Sequence, residues 1–377
     1  MKIFMFVNVD WFFFSHRLLI AKGAAQKGYD FTVYTDFTSD HLERAYGDFS
    51  IIQSPIARTS KTPLHLFYEL LKTFFLIKTR QPDIVHSVTI KPIILLGLTC
   101  LILRIPFIAS ISGLGPAFVA NGFLQRLRRW LIKLIYKIIF SPSSSRVICQ
   151  SSHDSNILVK NKIVTSNKIV LTKGSGVDLS KYSIQNTKKK NSIDVLMASR
   201  LLPGKGVKEF CTAAGAINRS KNFNVRFFLA GPIDSQSPKA LTLDQVTTLC
   251  KLNGVEYIGN RNDLNSVLAE SDIFVLPSYY PEGVPKVLLE AAACGCAVIT
   301  TNHPGCRDAI IPEQTGLLVK SKDIISLKDG LTSLLCNPDL IKSMGKSGRR
   351  LAEEKFSVNK VIDIHYDLYH SFKMDKN

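Results

Sequence analysis

A chain of 377 residues, 46% hydrophobic and 21% charged, can build two domains with substantial cores, which excludes a mainly disordered protein. Its net charge of +18 is uneven: residues 1–190 carry 26 Lys and Arg against 10 Asp and Glu, while residues 191–377 carry 22 against 20. No acidic residue lies between Asp83 and Asp154, so the first half is expected to meet an anionic partner, either nucleic acid or a membrane surface. The eight cysteines form no C-x-x-C pair, which predicts a reducing compartment and no structural zinc. No signal-peptide pattern precedes the first apolar run. The apolar stretch Pro92–Leu103 ends at Arg104, too short for a membrane span. The expected location is the cytoplasm, free or peripheral to a membrane.

The chain opens on a strand pattern, Lys2 to Val7, then Asn8 to Arg17, a helical pattern to Lys27, and a second strand, Phe31 to Thr35. Ser15 is placed to cap that helix, leaving His16 and Arg17 in its first turn. A Gly-rich phosphate fingerprint is missing from this loop, which argues against dinucleotide binding there. A basic-aromatic helix pattern, Leu64 to Arg80, precedes the strand Asp83 to Ser87. The loop carrying Thr89 and Lys91 leads into the buried helix. The strand Phe107 to Ile111 ends in Ser112-Gly113-Leu114-Gly115, whose glycines allow a tight turn.

Phe123 to Phe140 is the clearest amphipathic segment. At about 100° per residue, Arg126, Arg129, Lys133 and Lys137 share an arc of roughly 80°. Leu124, Leu127, Leu131, Leu134, Ile135, Ile138 and Ile139 cover another arc of roughly 140°, with Trp130 beside the cations and Arg128 at the apolar edge. Two readings fit: a surface helix with a solvated basic face, or a helix that docks on an anionic membrane through Arg126, Arg129, Trp130, Lys133 and Lys137. No nucleic-acid module is recognisable, so nucleic acid is not the expected partner. A strand from Val147 to Ser151 follows, and the polar run Thr187 to Ser192 reads as a linker. This gives a first domain over 1–186, a linker over 187–192, a second domain over 193–355, and a C-terminal helix over 356–377 that could return to the first domain.

In the second half, strands at Ile193 to Met197, Val225 to Leu229, Val255 to Ile258, Ile273 to Leu276 and Ala297 to Thr300 alternate with helical patterns. Apolar strands alternating with helices predict parallel, doubly wound sheets in both halves, and ligands in such sheets bind beyond the strand C-termini. Arg200 and Lys205 follow the first of these strands in a loop containing Gly204 and Gly206. Glu282 and Glu290 follow the fourth, one in a turn and one inside the next helix, with Pro285 suited to the first helical position. Gly283 and Val284 would present free N–H groups. Two cations suit a diphosphate, a carboxylate can accept paired ribose hydroxyls, and amides can hold a phosphate or hexose oxygen. A nucleotide diphosphate sugar matches all of these together.

The residues that carry this chemistry resemble those of the family 4 glycosyltransferases. The Arg200…Lys205 pair, Leu276-Pro-Ser278, Glu282-Gly-Val-Pro-Lys-Val-Leu-Leu-Glu290, Ala291 to Thr300 and Tyr257-Ile-Gly259 are similar to that family's motifs. In the first half, Trp11 to Arg17, Thr89 to Pro92 and Ser112 to Gly115 resemble bacterial members that build lipid-linked polysaccharides of the O-antigen or capsule type. Asp10 to Phe14 stand where many members carry glycines. The resemblance implies an α/β fold of the GT-B class, with two Rossmann-like domains facing a central cleft. It implies a retaining transferase moving a hexose or N-acetylhexosamine from a UDP-sugar to a polyprenyl-diphosphate-linked saccharide. Arg200 and Lys205 would hold the diphosphate, Glu290 the ribose, and Glu282 with the Gly283 and Val284 amides the transferred sugar. Gly259 and Asn260 would lie near the base. No metal or other cofactor is expected, since no D-x-D motif occurs. His16, Arg17 and Lys91 are candidate contacts to acceptor phosphate, whereas His86 reads as a packed histidine. The alternatives are another soluble GT-B nucleotide-sugar enzyme, a glucosyltransferase or an epimerase, and a non-catalytic basic protein on membranes or nucleic acid.

Overall fold

Strands with apolar residues on both faces need helices above and below, and both sheets of the chain are built that way. The computed structural model describes all residues except 39–43, 47–48, 59–61, 116–117, 119–121, 186–190, 235–236, 238 and 375–377. Most of the polar linker run therefore lies outside the described residues. The chain forms two units, Met1–Ser175 with Val358–Asn377, and Gly176–Ser357.

In the first unit, strands β1 (Lys2–Val7), β2 (Asp30–Thr35), β3 (Arg44–Tyr46), β4 (Phe49–Gln53), β5 (Ile84–Val88), β6 (Phe107–Ile111), β7 (Ser145–Cys149) and β8 (Ile169–Leu171) form one sheet, ordered β3-β4-β2-β1-β5-β6-β7-β8. Among the described residues only the β3–β4 pair is antiparallel. Helices α1 (Asp10–His16) and α2 (Leu18–Gln26) follow β1. Helices α3 (Pro63–Arg80), α4 (Ile90–Leu103), α5 (Phe123–Ile139) and α6 (Ser152–Lys160) come later. Residues of α3, α4 and α5 share one core cluster with Phe4, Phe6 and Val85 of the sheet.

The second unit orders β9 (Ile193–Ala198), β10 (Val225–Ala230), β11 (Val255–Tyr257), β12 (Ile273–Leu276), β13 (Ala297–Thr301) and β14 (Gly316–Val319) as β11-β10-β9-β12-β13-β14, all parallel. Its helices are α7 (Val207–Ser220), α8 (Leu243–Asn253), α9 (Leu264–Ala269), α10 (Lys286–Ala293), α11 (Pro304–Arg307), α12 (Ile324–Leu335) and α13 (Pro338–Leu351). Val177 and Tyr182 pack in its core, so the segment just before the linker run belongs to this unit.

The last helix, α14 (Val358–Met374), closes the first unit. Val361, Leu368, Tyr369 and Phe372 join the core cluster of α2, and Ile362 Cγ2 sits 2.7 Å from where a Cβ on Gly23 would be, so only glycine fits there. Each sheet reverses its strand order once, between β1 and β5 in the first and between β9 and β12 in the second. Loops diverge to opposite faces at such points and leave a crevice.

Candidate active site

The second unit's reversal point is where the sequence-selected residues of that half converge. After β9, Arg200 to Lys205 form a tight loop that ends in Gly206, φ +83°. A Cβ at Gly206 would stand 2.4 Å from the Pro277 carbonyl oxygen, so the loop lies directly on the chain leaving β12. Gly231 is equally constrained: at φ +139°, a Cβ would meet the Ser199 carbonyl oxygen at 1.8 Å. This clasp buries Lys205 and delivers its ammonium to Glu282 Oε1, with the Tyr280 ring 5.6 Å away. Arg200 is turned elsewhere, and its Nη1 donates to Asp234 Oδ2 at 3.2 Å.

The turn after β12 is held by Ser278. Its hydroxyl donates to Glu282 Oε1 at 3.3 Å and accepts from Tyr280 N at 3.3 Å, while its carbonyl accepts from Thr301 Oγ1. Tyr279 N donates to Gly204 O at 2.9 Å, a second stitch between the two loops. Helix α10 starts at Lys286, one residue later than Pro285 at the first helical position requires. Pro285 is the N-cap, with an extended ψ of 120°. A cap residue stays outside helical geometry, and a ring that fixes only φ leaves ψ free to do so. Gly283 and Val284 therefore precede the helix. Both are buried, and among the described residues neither N–H finds a backbone acceptor. The Gly283 carbonyl lies 2.1 Å from where a Cβ on Gly305 would be, so α11 braces this turn.

Glu290 is buried one turn into α10, where Lys286 Nζ pairs with its Oε1 at 2.9 Å. The Tyr182 hydroxyl also bonds Glu290, and burial followed by that carboxylate holds the phenol well above its ordinary pKa. Gly259 (φ +74°) lies two residues beyond β11, and its carbonyl accepts from Gly231 N at 2.8 Å. Asn260 beside it is exposed. Lys286, Tyr182, Asp234 and Ser278 were not selected from the sequence. Lys286 has a signal there, the i,i+4 spacing to Glu290.

In the first unit the helix after β1 begins at Asp10, so Ser15 does not cap it. The Ser15 hydroxyl donates back to Trp11 O at 2.8 Å and lies 2.5 Å from His16 Nδ1. Arg17 sits at the α1–α2 junction, 2% exposed. Its guanidinium donates to Ser112 Oγ at 3.1 Å and His16 O at 3.3 Å, and no carboxylate is among its partners in the described residues. Burial pulls its pKa down to about 10. Lys91 is committed within the fold, its ammonium reaching Ala57 O at 2.6 Å and the buried Glu69 carboxylate at 2.8–2.9 Å. His86 is a packed residue. Its Nδ1 lies 2.6 Å from the Tyr369 hydroxyl and its Nε2 2.7 Å from Ser110 Oγ.

The five docking residues of helix α5 share one side of it but are unequally exposed. Ile132, Tyr136 and Ile139 are buried, Arg129 and Lys133 flank them, and Lys133 Nζ donates to Asn161 Oδ1 at 2.7 Å. Arg126, Trp130 and Lys137 are exposed. So are Phe123, Leu124, Leu127, Leu131, Leu134 and Ile138, most of the apolar arc. A merely solvated basic face is thus not what α5 shows, because its outer face is largely hydrocarbon. Among the described residues no helix is long and apolar enough to cross a membrane.

Residues 16–181 match the family described as "Glycosyltransferase Family 4", and residues 180–351 match "Glycosyl transferases group 1". The chain is 30% identical over 336 residues to the N,N'-diacetylbacillosaminyl-diphospho-undecaprenol alpha-1,3-N-acetylgalactosaminyltransferase of Campylobacter jejuni, covering 85% of each chain. It is 28% identical to the UDP-Gal:alpha-D-GlcNAc-diphosphoundecaprenol alpha-1,3-galactosyltransferase of Escherichia coli, covering 81% of this chain and 80% of the other. Its fold is similar to that of a sucrose-phosphate synthase from Thermosynechococcus elongatus, with a TM-score of 0.81, 19% identity and all of both chains covered.

Proposed function

The chain belongs to the family 4 glycosyltransferases of the GT-B fold, and from that premise we propose that it moves a hexose or N-acetylhexosamine from a UDP-sugar to a polyprenyl-diphosphate-linked saccharide, with retention. The observation that carries the donor half is the convergence of Lys205 and Glu282 at the reversal point of the second sheet, with Glu290 one turn into α10. In this reading the donor diphosphate takes up Lys205 and Arg200, whose charges stabilise it as it departs. Glu290, oriented by Lys286 and Tyr182, accepts the ribose hydroxyls. Glu282 and the Gly283 and Val284 amides position the sugar. Gly259 and Asn260 lie toward the base. The acceptor hydroxyl attacks the face that the diphosphate leaves, and the departing phosphate takes its proton, so Glu282 positions rather than attacks. No metal is needed for that step.

The acceptor reading is supported by the two curated relatives, both named for undecaprenyl-diphosphate-linked acceptors, one of them with UDP-Gal as donor. Both names give an alpha-1,3 linkage, and an alpha product from an alpha-linked nucleotide sugar is retention. The basic first unit and the outer face of α5 suit a membrane-embedded anionic acceptor in bacterial surface polysaccharide synthesis, on the cytoplasmic face of the membrane. The test is a thermal-shift panel of UDP-, GDP- and ADP-sugars, followed by transfer to a short-chain polyprenyl-diphosphate disaccharide. A ligand that binds only the folded chain raises its melting temperature. Stabilisation by a GDP-sugar alone overturns the donor choice, and transfer only to a soluble sugar overturns the acceptor choice.

A further inference from the structure

Helix α3 carries an exposed apolar stripe that the reaction does not use. Leu64, Phe67, Tyr68, Leu71 and Phe75 recur at helical spacing within an arc of about 100°. They stand in water: Leu64 is 81% exposed, Phe67 58% and Phe75 60%. The opposite face packs inward through Glu69, Thr73 and Ile77. Lys72 borders the stripe on one side and Lys78 continues it at the C-terminal end of the helix, and Lys72 Nζ lies 4.4 Å from the centre of the Tyr68 ring. The helix's one acidic residue, Glu69, is buried against Lys91, so the outer surface of α3 carries positive charge only.

This stripe is not isolated. Both α3 and α5 pack on α4, which is buried along its length except at its C-terminal end, where Ile102 is exposed. Helix α5 repeats the pattern: Leu124, Leu127, Leu131, Leu134 and Ile138 are exposed, with Arg126 and Lys137 on one side and Arg128 on the other. Two helices of one layer thus each show water a hydrocarbon stripe edged by cations, without an exposed acid on either.

We propose that α3 is a second membrane-inserting helix, and that α3 and α5 together seat the first unit on a bilayer containing anionic phospholipid. Apolar side chains enter the acyl region while flanking Lys and Arg reach up to the phosphates. Exposed stripes of this size mark interaction surfaces in soluble chains. The charge chooses the partner. Two copies of this face meeting about a two-fold axis would set like charges against each other, whereas anionic headgroups complement them. The inference deepens the reading above by naming the docking surface, and it rests on that reading only for the purpose docking serves.

The test is flotation of the full chain with phosphatidylcholine vesicles, with and without phosphatidylglycerol. The parent floats with the anionic vesicles. The variants Phe67→Ser/Leu71→Ser/Phe75→Ser on α3 and Leu127→Ser/Leu131→Ser/Leu134→Ser on α5 each lose tenfold or more of that binding, with unchanged circular dichroism because the replaced side chains point to water. A second readout places a dye on α3: Cys336, exposed while the other cysteines are buried, is replaced by Ser, and Phe75→Cys is labelled with an environment-sensitive fluorophore. A blue shift on anionic vesicles alone supports insertion. An α3 variant that floats like the parent, or a label blind to vesicles, overturns the proposal. So does a parent dimer in light scattering that the α3 variant abolishes, which assigns the stripe to a second copy. Vesicle binding through α3 without sugar transfer overturns the functional reading and leaves this one standing.

Discussion

Lys205 donates a hydrogen bond to Glu282 across the point where the strand order of the second sheet reverses, tying the loop after β9 to the loop after β12. Glu282 takes one hydrogen bond from its own loop, from Ser278, and its charge partner from the other. The pair exists because Gly206 lets one loop lie on Pro277 and Ser278 holds the other in its turn. Removing the carboxylate leaves a buried ammonium without its partner, a change that costs about 3 kcal/mol or more in buried pairs. Glu282→Ala is therefore expected to lower both the melting temperature and kcat, the latter by at least about 100-fold, the scale of losing one transition-state contact. Glu282→Gln keeps a hydrogen-bond acceptor and should recover most stability but little activity. Thermal unfolding and sugar-transfer kinetics on both variants separate the two roles; equal activity in Gln and parent enzymes would remove Glu282 from the proposed chemistry.

Tyr182 and Lys286 converge on Glu290 from different parts of the second unit. If Glu290 holds the ribose, its partners set its direction and not its charge. Tyr182→Phe then weakens UDP binding several-fold in calorimetry and raises the donor KM, while kcat stays within about twofold, as expected for loss of one neutral–charged hydrogen bond. Lys286→Ala should act the same way and more strongly. A fall in kcat at unchanged KM would place these residues nearer the reacting atoms.

Much of this architecture is legible in the sequence, for a physical reason. Parallel strands covered on both faces read as continuous apolar runs, so Ile193 to Met197 or Phe107 to Ile111 stand out between helical periods. Strands β3 and β4 do not: β3 is only three residues long at the edge of its sheet, and β4 is five residues long with Ser50 and Gln53 exposed. The Arg200, Lys205, Glu282 and Glu290 positions are legible because their spacing is a motif. Their partners are not. Tyr182 lies over a hundred residues before Glu290, and no local pattern announces that a phenol will meet that carboxylate. Lys91 misleads for the same reason: in sequence it is a loop cation at a strand end, while in the fold it neutralises Glu69. Helix α5 shows the limit of periodicity itself. The apolar arc was visible, but only the neighbours decide that Ile132, Tyr136 and Ile139 are buried while Leu127 and Leu131 face out.

Gly305 and Gly206 offer a test of the loops that leaves every charged group in place. A methyl at Gly305 would stand 2.1 Å from the Gly283 carbonyl oxygen and push the turn that carries Glu282. At Gly206 it would meet Pro277 O at 2.4 Å and also face a φ of +83°, which by itself costs a non-glycine residue of order 1–2 kcal/mol. Gly305→Ala is expected to cut kcat/KM tenfold or more with a small loss of stability. Gly206→Ala should lose both, since the Lys205 loop can no longer close on β12. As a control, Gly28→Ala has the same φ of +83° with no atom within 4 Å, so it should lose stability by a similar backbone cost and no activity. Parent-like activity in Gly305→Ala would mean that the turn accommodates the shift and does not hold Glu282 in register.

The interior of the first unit titrates in a direction that stability should reveal. His86 and His365 are buried beside each other, with ring centroids 5.6 Å apart. Burial holds His86 well below its usual pKa, with the neighbouring His365 and Arg17 adding to the effect. The same burial, with Arg17 adding, pulls His365 down to about 3. Both rings are therefore neutral in the folded chain and ordinary imidazoles in the unfolded one. Below pH ~6.5 the unfolded state binds protons that the folded state refuses. Stability is fully present above that pH and is lost as pH falls toward 3, at roughly 1.4 kcal/mol per pH unit for each histidine. The loss centres on α14, because Tyr369 is hydrogen-bonded to His86 and His365 lies on that helix. Hydrogen exchange of the full chain should show α14 opening earlier at pH 5 than at pH 7.5. His365→Gln removes one of the two titrating groups and should roughly halve the pH dependence of that opening, whatever it does to stability at neutral pH. An unchanged slope in the variant would place the acid-sensitive group elsewhere in the molecule.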